Sequence, residues 1–92
     1  MRVLIPVGHA VATSEIVDRC RRFADVGQCT VFLAHVAPHD AAGGYMEGYL
    51  GHAARTLRQA GLDVRVVIRG GEPSTEVAHL ARELDACLLV PA

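Results

Sequence analysis

His9, His39 and Asp40 carry side chains that can ligate transition metals, and all three fall just after apolar runs of the chain. Two imidazoles and a carboxylate suit zinc or copper. The spacing does not support such a centre. His35-x3-His39 crosses from a β-rich run into a loop, so the two rings are not a ligand pair on one helix face. The reading adopted is ordinary solvated histidines, with His9, His39 and Asp40 the residues to test for a metal. His35 reads as a core histidine with a satisfied ring nitrogen.

Nucleophilic or acid–base chemistry requires a nucleophile beside a base, or paired carboxylates with separated pKa values. Thr13, Ser14, Ser74 and Thr75 are each explained as helix starters, no G-x-S-x-G turn is present, and Asp40 has no acidic partner nearby in sequence. No cysteine sits in a recognisable Cys–His signature. Gly43-Gly44, Gly48 and Gly51 form a glycine-rich stretch, but no G-K-(S/T) follows. It reads as a flexible entry to a helix. Gly70-Gly71-Glu72-Pro73-Ser74-Thr75 opens another helix whose free amides could hold an anion. Glu72 opposes that and Pro73 removes a donor, so turn-and-cap geometry is expected. The chain is expected not to be an enzyme.

The elements that must position these residues follow from periodicity. Val3 to Val7 is a short continuous apolar run bounded by Gly8, as in a strand buried on both faces. Ile16, Val17, Cys20, Phe23 and Ala24 recur at helical spacing until Gly27. Thr30 to Val36 is a second β-rich run. Asp40 to Gly44 reads as a loop, and Tyr45, Met46, Tyr49, Leu50, Ala53, Ala54, Leu57 and Ala60 as a helical stripe ending at Gly61. Val64 to Ile68 predicts a shorter strand, flanked by Arg65 and Arg69 as suits a sheet edge. Pro73 fits the first position of a helix carrying Val77, Ala78, Leu80, Ala81 and Leu84, and Ala86 to Val90 is the fourth strand. The order βαβαβαβ predicts one α/β domain over residues 1–92: an open parallel sheet with three helices and right-handed crossovers.

Composition agrees. Hydrophobic residues make up 51% of the 92 and aromatics 4%, so the core must be aliphatic. A formal net charge of -1, with basic and acidic residues well mixed, provides no field for nucleic acid or an anionic membrane. Cys20, Cys29 and Cys87 are odd in number and lack C-x-x-C spacing, and read as small buried hydrophobes in a reducing compartment. No apolar run is long enough for a signal peptide or a membrane span, so a cytoplasmic location is expected.

Met1-Arg-Val-Leu-Ile-Pro-Val7, Leu33-Ala-His-Val-Ala-Pro38, Ala60-Gly-Leu-Asp-Val64, Gly71-Glu-Pro73 and Ala81-Arg-Glu-Leu-Asp-Ala-Cys-Leu-Leu-Val90 together resemble the universal stress protein family, in order and spacing, across nearly the whole chain. The resemblance implies a Rossmann-like sheet of the adenine nucleotide alpha hydrolase-like kind, with strand order 3-2-1-4 and normally a fifth strand and fourth helix. Many members bind ATP through an Asp after strand one and a glycine-rich segment after strand four. Here Gly8-His9-Ala10 stands where the acidic turn is expected, and Pro91-Ala92 where the glycine-rich segment would begin.

The resemblance thus implies a short member without the ATP motif. The expected crevice at the switch point holds Gly8, His9, Val36 and Pro91, with no cofactor expected, ATP or AMP being the alternative. Strand four, Cys87, Leu88, Leu89 and Val90, would form an apolar edge, and the sheet face beside it would lack a helix. Self-association through strand four and the third helix is the expected activity, as a homodimer or higher oligomer in a stress or regulatory role. The rival expectation is an adenine-nucleotide module completed by a partner subunit or by residues beyond Ala92.

Overall fold

The computed structural model describes residues 2–8, 14–16, 18, 20, 29–37 and 44–88. Strand β1 is Arg2–Pro6, β2 is Thr30–Ala37, β3 is Asp63–Gly70 and β4 is Cys87–Leu88. Residues 14–16, 18 and 20 are helical and form α1; α2 is Gly44–Gln59 and α3 is Pro73–Glu83. The strands lie in the order β3-β2-β1-β4, and every pairing is parallel.

Side chains alternate across a strand, so each strand feeds two cores. Val3, Ile5 and Val7 of the β1 segment, with Val31 and Leu33 of β2 and Val64 of β3, face one side, where Ile16 and Cys20 of α1 and Leu50, Ala53, Ala54 and Leu57 of α2 close over them. Ile16 and Cys20 are one helical turn apart, and the α2 set repeats at three- and four-residue spacing, which places each set on one stripe. The opposite face carries Leu4, Ala34 and Leu80, with Phe32, Val67, Val77, Ala81, Leu84 and Ala86 only partly covered. Two helices therefore seal one face, while α3 packs on β2 across the other.

Both long helices end on the same backbone device. After α2, Leu62 N donates to Leu57 O and Gly61 N to Arg58 O, with Gly61 at φ +96°. After α3, Ala86 N donates to Ala81 O and Asp85 N to Arg82 O, with Asp85 at φ +50°. These paired bonds satisfy carbonyls that a helix end leaves open, and the left-handed residue between them turns the chain back to the sheet. At the first end Leu62 and Leu57 are both buried in the larger core, fixing the angle at which β3 departs.

Several sequence expectations shift. β3 runs for eight residues rather than five, because the hydrogen-bonded register with β2 extends from Thr30↔Asp63 to Ala37↔Gly70, past the apolar stretch. Gly44 opens α2 instead of closing a loop, and Gly48 and Gly51 lie inside that helix. Ser14 is helical. Cys87 is exposed, unlike Cys20 and Cys29, because it pairs with Val3 at the outer strand of the described sheet, where no further strand covers it.

Candidate functional site

In an open parallel sheet the crevice for a ligand lies beyond the carboxyl ends of the strands where their order reverses. Here that point falls between β1 and β4, the central and outer partners of the pairing Val3↔Cys87 and Leu4↔Leu88. Past β1 the ladder continues for one residue through Val7 N to Ala34 O at 2.8 Å, and then Gly8 reaches solvent with nothing within 4 Å of the place a Cβ would occupy. Val36 is half-buried near the same end of β2.

His35 holds this rim from below. Its ring is buried and Nδ1 lies 2.8 Å from the Val7 carbonyl. A carbonyl only accepts, so Nδ1 carries the proton and donates. That bond crosses from β2 to the residue leading out of β1, and its role is structural, as the sequence reading had it.

The remaining sequence candidates separate into two groups. His9, His39, Asp40, Pro91, Leu89 and Val90 lie outside the described residues, and of Leu88 only the strand pairing is described. Among the described residues no group of three metal-ligating side chains forms. Gly8, Val36 and Cys87 are described, but Gly8 and Val36 lie at the carboxyl end of the sheet whereas Cys87 pairs near its amino end, beside Val3.

Three of the nucleophile candidates are accounted for: Ser74 is engaged in a hydrogen bond, and Cys20 and Cys29 are held as thiols. Ser74 Oγ donates to the Glu72 carboxylate at 2.7 Å, and Thr75 N donates to the same oxygen at 2.7 Å, which makes Glu72 the N-cap of α3. The Ser74 hydroxyl, with help from Thr75, pulls the Glu72 pKa down to about 2. Glu72 thus takes the place at the helix start that an anion would need. Burial, with the nearby Cys29 adding to it, pushes the Cys20 thiol up to about 11, and burial raises Cys29 too. Neither is a thiolate at neutral pH.

Sequence reading missed three polar links. Arg69 on β3 makes a two-bond pair with Glu83 on α3, NH1 to Oε1 at 3.1 Å and NH2 to Oε2 at 2.6 Å, with Glu76 at 3.9 Å. Arg58 near the end of α2 donates from Nε and NH2 to the Val64 carbonyl, at 3.1 and 2.6 Å. Arg2 NH1 donates to Leu84 O at 2.8 Å. Only the flanking position of Arg69 beside an apolar run was a signal for any of them. Between α2 and β3 an open groove of about 620 Å³ is lined by Glu47, Gly51, Arg58, Val66 and Ile68.

The chain matches no family profile. No curated protein sequence matches it either. Its fold does match solved structures. A universal stress protein from Archaeoglobus fulgidus superposes with a TM-score of 0.72 at 21% identity, over 98% of this chain and 74% of the other. The protein Rv1636 from Mycobacterium tuberculosis H37Rv superposes with a TM-score of 0.70 at 20% identity, over 97% of this chain and 68% of the other. At such identity the likeness is one of fold: this is an α/β chain with the universal stress protein architecture. Among the described residues no helix is long and apolar enough to cross a membrane.

Proposed function

We propose that the chain is a non-catalytic association domain of universal stress protein type, working in a stress or regulatory setting, whose α3 face and β4 edge seat a second copy. One observation carries this reading: the two faces of the sheet are covered unequally. On the α1–α2 face the aliphatic side chains are almost all buried, whereas around Leu4, Ala34 and Leu80 the apolar side chains of Phe32, Val67, Val77, Ala81, Leu84 and Ala86 remain partly in water. A contiguous apolar patch of this kind marks an interface. At the sheet edge the patch is bordered by Ala86, while Cys87, the register partner of Val3, belongs to the other face. The non-catalytic part of the reading is supported by the Ser74 hydroxyl being engaged by the capping Glu72 carboxylate and by the protonated Cys20 and Cys29.

Sedimentation velocity on the full chain at micromolar concentration tests the association. A dimer or larger species is expected, and Leu84→Asp is expected to reduce its mass. A wild-type monomer at every concentration ends the proposal.

The nucleotide reading draws on the switch-point position of the exposed Gly8. The described residues there supply backbone but no acidic side chain and no run of glycines, so they do not by themselves fit a nucleotide. In this reading the phosphate contacts come from a partner subunit or from residues beyond Ala92. A thermal shift with ATP, ADP and AMP separates the two readings, since a ligand at a hundredfold its Kd adds about 2.7 kcal/mol. A shift would replace the first reading with the second.

A further inference from the structure

The outer edge of β3 has a polarity that the described bonds define. Gly71 N donates to Ala37 O, which turns the amide following Gly70 toward β2. Backbone direction alternates along a strand, so Asp63, Arg65, Val67 and Arg69 spend their N–H and C=O groups on β2, and Val64, Val66 and Ile68 direct theirs away from the sheet. The Val64 carbonyl supports this parity independently, because it accepts from Arg58 rather than from β2. Among the described residues no backbone bond reaches the outward groups of Val66 or Ile68. Their side chains are half-buried and line the groove under α2, which Gly51 leaves open.

We propose that β3 pairs antiparallel with β3 of a second copy, about a two-fold axis at Val66, joining two four-stranded sheets into one. Charge and strand overlap together select this register. Centring the pair on Arg65 sets two arginines face to face, and centring it on Val67 sets Arg65 against Arg69; like charges directly opposite are destabilising. Centring it between residues would place outward groups against groups already used by β2. About Val66, Asp63 faces Arg69, Val64 faces Ile68, and Arg65 faces Val67. Charged side chains on an edge ordinarily deter pairing. Centred on Val66 their signs are opposite along residues 63–69, whereas centring on Val64, which also sets Asp63 against Arg65, overlaps the two strands only over residues 63–65.

The groove obeys the same symmetry. α2 connects two parallel strands and so runs against β3, which puts Arg58 at the Val64 end and Glu47 in the groove with Ile68. The two-fold axis therefore brings Glu47 of each copy to the level of Arg58 of the other, and sets Val66 against Val66 and Ile68 against Val64 on the groove face. Arg58 donates twice to the Val64 carbonyl and fills both of its lone pairs, so the ladder bond from Ile68 N of the second copy takes the place of one Arg58 bond, while the Val66 pair and the Val64 N–H form theirs without displacing a described bond. This contact is made by the backbone edge of β3 rather than by the α3 patch, although Val67 and Arg69 border both.

Disulfide trapping reads the register directly. In the full chain carrying Cys87→Ser, Val66→Cys is expected to form a covalent dimer under mild oxidation, because hydrogen-bonded antiparallel partners have Cα atoms about 5.5 Å apart, within disulfide range. Arg65→Cys, whose opposite residue is Val67, is expected to cross-link at least ~10-fold more slowly in that background. Equal rates, or no covalent dimer from Val66→Cys, overturn the proposal. Val66→Pro removes an outward amide without touching the β2 ladder, and is expected to lower the sedimenting mass while circular dichroism stays unchanged. If that variant does not fold, the cysteine comparison decides alone. Adding Leu84→Asp to Val66→Cys separates the two surfaces: trapping should persist at an undiminished rate, and its loss would overturn the independence of the β3 contact.

Discussion

The ring of His35 donates from Nδ1 to the Val7 carbonyl at 2.8 Å, joining a buried side chain of β2 to the backbone that leads from β1 into the switch-point crevice. Val7 N is itself bonded to Ala34 O, so both backbone groups of Val7 are held by neighbouring positions of β2. Replacing His35 by Ala leaves a buried carbonyl without its partner. A loss of about 1–3 kcal/mol is expected in urea unfolding. An unchanged midpoint would mean that water replaces the ring at no cost.

Leu80 is the single fully buried side chain that α3 contributes. Leu80→Ala is expected to cost about 2–5 kcal/mol by denaturant titration, the range for a leucine removed from a packed core. Val77→Ala, at a half-buried position on the same helix, should cost clearly less. Equal losses would show that the α3 face is more tightly covered in solution than the single chain indicates.

The two left-handed helix ends make opposite predictions. Asp85 sits at φ +50° where glycine is the unstrained choice, so Asp85→Gly is expected to stabilise by about 0.5–1 kcal/mol. Gly61 already uses that freedom at φ +96°, and Gly61→Ala is expected to destabilise by about 1 kcal/mol or more. Thermal midpoints of the two variants should move in opposite directions. Movement of both in the same direction would contradict the termini described for α2 and α3.

Acid should weaken the attachment of α3 by a defined route. Glu72 is held at about 2 by the Ser74 hydroxyl and Thr75, and Glu83 is held below the usual carboxylate range by its hydrogen bond to Arg69. A carboxyl whose pKa is lowered in the folded state contributes stability above its unfolded pKa and loses it as pH falls toward the folded value. The thermal midpoint is therefore expected to fall from about pH 5 down to about pH 2. Both groups are exposed, so the effect should be modest and salt-sensitive for the Arg69–Glu83 pair. Glu72→Ala should flatten part of this slope; an identical slope would remove Glu72 from the account.

Much of the architecture was readable along the chain because its causes are short-range. The apolar run at Val3–Val7, the Leu50, Ala53, Ala54 and Leu57 stripe, Gly61 after a helix and Pro73 at the start of another each act within one or two turns of their neighbours. Glu72 shows where such reading stops. As a residue type it opposes an anion at the helix start, but its carboxylate serves as the cap, which depends on a rotamer and two bonds. Gly48 and Gly51 mislead in the same way, since packing of the α2 stripe on the sheet outweighs the poor helix propensity of glycine.

The sequence by itself determined that the chain makes alternating strands and helices around an aliphatic parallel sheet, because hydrophobic periodicity reports which face of each element avoids water. Only the tertiary structure decided which groups are left over once the strands are ordered. The exposure of Cys87, the outward amides of Val66 and Ile68, the Arg69–Glu83 bridge and the unequal cover of the two sheet faces all follow from which strand lies at an edge and which helix lies over it. Those are long-range facts, set by strand order and crossover hand, and no local run of residues encodes them.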